Sequence, residues 1–266
     1  MSSGVTYAEA HIFIGTLAMA MPRVLAMCSI LPLLSSQMLP RLIRYGLSAG
    51  LALVLVPMLE PGYVTMDFNG VQIALIVVKE VFVGMTMGFL VAIPFWIFEA
   101  VGFVVDNQRG ASMGAVLNPA TGNDSSPLGI LFNQAFLVFF LVGGGFTLML
   151  TMMYDSFRIW SLWHWFPTLR MSSVPLMLDQ LSRLARLVLL FAAPAMVAMF
   201  LAELGLALAS RFAPQLQVFF LAMPIKSALA LFVLVLYMST LFDYADETVR
   251  GIPGILPFLN SQWGMG

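Results

Sequence analysis

The chain has 266 residues, 61% of them hydrophobic and only 9% charged, with 12 Lys plus Arg against 13 Asp plus Glu. A typical soluble domain is about 25% charged, so this chain lacks the polar skin that a water-exposed fold of its size needs. A net charge of −1 leaves no electrostatic basis for binding nucleic acid, one cysteine excludes a disulfide scaffold, and 12% aromatic residues exclude disorder.

The N-terminus lacks the basic n-region of a cleavable signal, since no Lys or Arg precedes Arg23. The first apolar segment is therefore expected to stay in the mature protein. Six apolar blocks follow one another, over 12–34, 42–59, 71–105, 128–154, 185–209 and 216–241. Most reach or approach the roughly 20 residues that a helix needs to cross a hydrocarbon core. Runs such as Leu187–Leu201 are apolar at every position, which fits helices and not the alternating strands of a barrel. The fold class is an all-α membrane protein.

The block 128–154 is the clearest single span, because no charge lies between Asp124 and Asp155. The block 71–105 is too long for one simple crossing and holds Lys79, Glu80, Glu99 and Pro94. A kinked long helix and a re-entrant hairpin both fit it. The distribution of arginines favours the hairpin. With an outside N-terminus, it gathers Arg41, Arg44, Arg158, Arg170, Arg183, Arg186 and Arg250 on the cytoplasmic side, together with the C-terminus.

Between the third and fourth blocks, 106–127 reads as a long, polar, Gly-rich loop, which suggests a role beyond linking. Met113 is an apolar side chain among its Gly, Ala and Ser, suited to sealing a narrow passage while yielding to varied cargo. The stretch 155–184 carries Trp160, Trp163, Trp165 and Phe166 near Arg158 and Arg170, the composition of a segment at headgroup level that closes at Pro167 and resumes near Pro175.

Little in the chain supports catalysis. Gly110-Ala111-Ser112-Met113-Gly114 matches G-x-S-x-G, and Ser112, Asp155 and His164 follow the chain order of a hydrolase triad. That motif needs a strand-to-helix elbow, which this sequence does not offer, so a flexible small-residue loop is the simpler reading. His11, His164 and Cys28 have no ligand spacing, so neither a metal nor a cofactor is expected. The ionisable residues inside apolar blocks carry more weight: Arg23, Lys79, Glu80, Glu99, Glu203 and Lys226 should each face protein or a wet cavity. Glu203 and Lys226 come within reach of each other across the last hairpin, though their register about the turn differs by about four residues, or roughly 6 Å. A subunit-contact ion pair or a snorkelling lysine is favoured over a proton relay, which strings several titratable groups along one path. Gly84-x-x-x-Gly88 and Gly143–Gly145 allow close backbone approach, and Pro22, Pro94, Pro194 and Pro224 point to bent helices. Such helices suit a protein packed against partners.

Several stretches together resemble one family. Glu203-Leu-Gly-Leu-Ala-Leu-Ala-Ser-Arg211-Phe-Ala-Pro214-Gln-Leu-Gln-Val-Phe219, continuing to Ala222-Met-Pro224-Ile-Lys226-Ser, is similar to the C-terminal signature of the T-type export apparatus proteins of bacterial type III secretion. Val105-Asp106-Asn-Gln-Arg109-Gly-Ala-Ser-Met113, Asn118-Pro119 and Ser126-Pro127-Leu-Gly resemble the injectisome branch more than the flagellar one. Pro22-Arg23, Pro32…Pro40-Arg41 and Gly143-Gly-Gly-Phe146 are similar too.

The resemblance implies a non-enzymatic component of an export gate in the inner membrane, partly at periplasmic level. Its R-subunit-like region is 1–184 and its S-subunit-like hairpin and tail are 185–266. It implies R-type and S-type subunits, a U-type switch protein and a V-type export protein as partners, with needle and inner-rod proteins and secreted proteins as cargo, membrane lipid around it and no cofactor. The loop 106–124 would plug the closed channel, with Asp106, Asn107, Gln108, Arg109, Gly110, Ala111, Ser112, Met113 and Gly114 as its first residues. Glu99, Glu203, Arg211 and Lys226 are the expected subunit-contact or buried charges. The rival readings are a secondary transporter, for which no paired repeat is visible, and an intramembrane serine hydrolase.

Overall fold

The computed structural model describes residues 2–34, 39–64, 69–110, 126–163, 173–212 and 218–263. The described residues form helices and contain no strand. In chain order these are α1 (Ser2–Ile30), a 3-10 turn (Pro32–Leu34), α2 (Arg41–Leu53), α3 (Val56–Val64), α4 (Gly70–Arg109), α5 (Pro127–Val142), α6 (Gly145–Ile159), α7 (Ser173–Phe212), α8 (Val218–Arg250), a second 3-10 turn (Ile252–Gly254) and α9 (Ile255–Trp263). Four helices are long and apolar enough to cross a membrane, and the pairs α2–α3 and α5–α6 raise that to six if each bent pair is one span.

Two expectations about the spans need correcting. The block 71–105 is not a hairpin: α4 is one 40-residue helix with Pro94 inside it. At 1.5 Å per residue it is about 60 Å long, twice the thickness of a hydrocarbon core. The cytoplasmic assignment of the C-terminus rested on that reversal and loses its premise. The block 128–154, in turn, is not one straight span, because α5 and α6 meet at 71°. The cause is Gly144, whose φ of +77° lies in the left-handed region open to glycine, preceded by Gly143 as the helix cap. Gly143 and Gly144 thus break the helix. A similar 72° bend separates α2 from α3. Here Pro57, at the second position of α3, has no N–H to give the Leu53 carbonyl, so the helix cannot run on.

The chain packs into two compact units. The first comprises 1–92, 145–174 and 250–266, and the second 93–144 and 175–249. In the first, α1 lies against α2, α3 and the first half of α4. Gly84 and Gly88 face α1: a Cβ on Gly84 would overlap the Arg23 carbonyl oxygen, and one on Gly88 would lie 2.9 Å from the Met27 carbonyl. The GxxxG spacing therefore serves a backbone contact inside this unit. Trp160 is buried, and the Trp163 ring occupies the space where a Gly62 side chain would be, edge-on to Tyr63. Trp160 is thus a core residue, and Trp163 is half-buried in the slot that Gly62 leaves for its indole. Trp165, Phe166 and Pro167 lie outside the described residues. The tail after Arg250 belongs to the same unit. Its Ile252, Leu256 and Leu259 are buried, with the turn and α9 against α6.

In the second unit, α4 and α5 run as a hairpin over an aromatic core. Phe95 meets Phe136 edge-on at 4.7 Å and Phe140 at 5.1 Å, and Phe98 stacks on Phe136 at 4.7 Å. The helices α7 and α8 show much more apolar surface. Only 28% and 11% of their most apolar stretches are buried, against 61% for α4.

Candidate functional site

Three constellations involve the charges singled out above. The most buried is in the first unit. Arg23 and Glu80 are both fully buried, and Lys79 is 3% exposed. Arg23 donates through Nε to Glu80 Oε2 and through Nη2 to Oε1 at 3.0 Å, the planar fork geometry that suits a carboxylate. Its Nη1 donates to Ser156 Oγ at 3.0 Å, its Nη2 to the Trp160 carbonyl at 2.9 Å, and its guanidinium sits 3.9 Å over the Phe157 ring. Lys79 Nζ lies 3.0 Å from Glu80 Oε1 and donates to the carbonyls of Ser161 (3.1 Å) and Leu162 (2.8 Å).

Two cations thus face one carboxylate. The surplus positive charge is met by three carbonyls just past the end of α6, where the helix dipole is negative. A buried ion group of this kind is tolerated only when its hydrogen bonds are filled. Arg23, Lys79 and Glu80 were expected to face protein, but nothing in the sequence paired them with one another or with Ser156. The signal available was Lys79-Glu80 in a helix with Arg23 in another, three ionisable residues at apolar depth.

The second constellation is the upper end of the α4–α5 hairpin. Gly102 and Gly129 bring the backbones together: a Cβ on Gly102 would lie 2.5 Å from Leu128 and Gly129 backbone atoms, and one on Gly129 would lie 3.0 Å from the Glu99 carbonyl. One turn below, Asn133 Nδ2 donates to Glu99 Oε2 at 2.8 Å. One turn above sits Asp106, 3% exposed. Its Oδ1 accepts from Arg109 Nε at 2.7 Å and also lies 2.7 Å from Arg109 Nη2. Its Oδ2 accepts from Ser126 Oγ (2.6 Å) and from the Leu128 N–H (2.9 Å). Ser126 is the N-cap of α5 and accepts from the Gly129 N–H at 2.9 Å, with Pro127 in the first turn, a sequence well suited to starting a helix. Gly110, at φ +84°, ends α4, and a Cβ there would meet Met223 Cε at 3.8 Å.

The connection therefore begins four residues later than its composition suggests. Asp106, Asn107, Gln108 and Arg109 are helical, because Asp106 and Arg109 pair at i,i+3 and the Ser126 hydroxyl and Leu128 N–H hold Asp106 in place. Ala111, Ser112, Met113 and Gly114 lie outside the described residues, as does His164, while Asp155 pairs with Arg158 at 3.3 Å.

The third constellation is in α7 and α8. Lys226 Nζ reaches Glu203 Oε2 at 3.5 Å, so the two meet across the hairpin despite the offset in register. The Lys226 side chain is 12% exposed and that of Glu203 is 52% exposed. Arg211 lies exposed in the last turn of α7, where a cation favours the helix dipole. Among the described residues, no group of three or more His, Cys, Asp or Glu is placed to hold a metal ion.

These features define an all-helical membrane protein whose charges cap, pair and position helices. Residues 14–252 match the family described as bacterial export proteins, family 1, and the chain belongs to that family. It is 40% identical over 236 residues to the Yop proteins translocation protein T of Yersinia pestis, covering 88% of this chain and 90% of the relative. It is 34% identical over 247 residues to the secretion system apparatus protein SsaT of Salmonella typhimurium, covering 87% and 90%. Identity to the flagellar biosynthetic protein FliR of Bacillus subtilis is 27% over 223 residues, covering 83% and 85%. The protein is a structural component of a type III secretion export apparatus in the inner membrane, working with other export subunits, and it is not an enzyme.

Proposed function

We propose that this chain joins R-type and S-type subunits in the export gate and helps to form the conduit for unfolded needle, inner-rod and effector proteins. The segment 106–124 plugs that conduit at rest. A U-type switch protein and a V-type export protein adjoin the gate, and the energy for export comes from those partners or from an ATPase. Residues 1–184 correspond in descent to the R-type subunit and 185–266 to the S-type subunit.

The observation that carries this reading is the α4–α5 hairpin, packed along its length by Phe95, Phe98, Phe136, Glu99–Asn133 and Gly102–Gly129. A rigid pair of helices presents a connection of small and polar residues at its end, with Met113 within it. The exposed apolar surface of α7 and α8 supports burial of that hairpin by lipid or neighbouring subunits. Within it, Glu203 and Lys226 act as a subunit contact.

Two experiments test the reading. The chain is expected to co-purify with two smaller membrane subunits in fixed ratio; recovery as a lone, stable monomer counts against it. Shortening 111–125 is expected to raise ion conductance across membranes holding the assembled complex, and an unchanged conductance rejects the plug.

A further inference from the structure

We propose that Glu99, oriented by Asn133, is the docking point for a basic side chain carried on an apolar helix of a neighbouring export subunit. This rests on the reading of the chain as one subunit of an assembled apparatus.

Glu80, Asp106 and Glu203 each have a cation of this chain at 3.5 Å or less. Glu99 stands in the same helix as the first two and is exposed, yet it has no cation among the described residues. It lies about 15 Å below Arg109 along α4, at 1.5 Å per residue, too far for a group at the end of the hairpin to serve it. The exposed residues one turn away on the two helices, Phe103 and Ile130, are apolar. An ionised carboxylate on such a surface is costly until a cation meets it.

The site is built in advance. A Cβ on Gly129 would lie 3.0 Å from the Glu99 carbonyl, and Phe98 stacks on Phe136 at 4.7 Å, so both helix backbones are fixed around it. Between these contacts Asn133 Nδ2 donates to Glu99 Oε2 at 2.8 Å. The amide gives something up to do so, because its own Oδ1 is buried with no hydrogen-bond partner. Turning the amide over would only set that oxygen against the carboxylate. A buried orphan acceptor costs about as much as one exposed hydrogen bond returns, so within the chain alone the arrangement gains little. It gains when the oriented carboxylate meets a cation, since charge-assisted pairs held in fixed geometry are the strong ones.

The chemistry of the partner follows from what is offered. Oε1 accepts from no donor among the described residues, so the site presents a bare anionic acceptor. Its complement is a donor-bearing cation, the ammonium of a lysine or the guanidinium of an arginine, as Lys226 and Arg109 are for other carboxylates of this chain. Because the surrounding surface is apolar, that cation fits best on an apolar helix, whose other side chains cover Phe103 and Ile130.

The test uses the apparatus purified from membranes through a tag on this chain. Recovery of the co-purifying subunits is read against wild type, and the unfolding midpoint of the isolated chain in detergent is read separately. Glu99→Gln keeps the size of the side chain and an acceptor for Asn133 and removes the charge. It is expected to lower recovery of at least one subunit about tenfold, the scale of a hydrogen bond to a charged group, and to leave the midpoint unchanged. Asn133→Leu frees the carboxylate to turn and removes the orphan oxygen, so it is expected to lower recovery several-fold without lowering the midpoint. A photo-crosslinking residue at position 99 is expected to join this chain to a neighbouring subunit within one helical turn of a Lys or Arg. Reversing both charges, Glu99→Arg here and that cation→Glu in the neighbour, is expected to restore recovery. Wild-type recovery from Glu99→Gln overturns the proposal, as does a midpoint that falls in step with recovery, which marks a role inside the chain. Cross-links to lipid alone, or to a helix without a basic residue, overturn it too. Where wild type itself brings down no second subunit, the apparatus reading fails and the docking point with it. Where wild type and Glu99→Gln assemble equally, the docking point falls alone.

Discussion

The ion group of α1, α4 and α6 and the ion pair of α7 and α8 handle the same problem, charge in apolar helices, in opposite ways. Around Arg23, Glu80 and Lys79, every charged group is closed off by protein, through a carboxylate fork, a serine hydroxyl, three carbonyls and an aromatic face. At Glu203 and Lys226 there is one contact at 3.5 Å, and the carboxylate is half exposed on helices whose other exposed side chains include Leu204, Leu208, Phe232 and Val235. The first arrangement is complete within the chain. The second leaves its carboxylate half open to whatever surrounds the helices.

The substitutions that sharpen this contrast fall in a clear order. Glu80→Ala leaves two buried cations without their carboxylate and should cost about 3–5 kcal/mol, read as a large loss of thermal stability of the chain in detergent. An unaltered unfolding midpoint would mean that water reaches the cluster. Gly84→Ala should cost about 1–3 kcal/mol in the same assay, because its methyl would overlap the Arg23 carbonyl and push α1 from α4. Gly144→Ala should cost about 1–2 kcal/mol through its left-handed φ alone, since open space surrounds it.

On the other side of the contrast, Gly205→Ala on α7 meets nothing within 4 Å and should be neutral or stabilise the isolated chain by up to about 1 kcal/mol. Loss of complex upon co-purification, with the isolated chain unharmed, would mark that face as a subunit contact. Glu203→Gln should change the stability of the isolated chain least, by about 1 kcal/mol or less. A large loss there would break the contrast.

Most of the class was legible before any coordinates. Hydropathy gave the helices, and the stretch from Glu203 to Ser227 carried the family. The bends were not legible, because a run such as 128–154 is equally apolar on both sides of Gly144, and hydropathy does not record a dihedral angle. The prolines did not mark the helix ends. Pro94 stands inside a continuous α4, while the unremarked Pro57 sits beside a break. At the site, the pairing of Arg23 with Glu80 spans 57 residues of chain and follows no local spacing. The helical extension through Arg109 was hidden because Asp-Asn-Gln-Arg reads as a loop until Ser126 and the Leu128 N–H are brought to it.

The tail after Arg250 has one more consequence. Ile252, Leu256 and Leu259 complete a core whose first strand of sequence begins at α1. A ribosome delivers those residues after all the others of this core, so this unit stays unfinished until 252–259 have been made, whereas 93–144 and 175–249 emerge earlier and have all their parts by then. A truncation before Ile252, or a bulky insertion that pulls α9 away, would strike at the packing of α1 more than two hundred residues earlier in the chain.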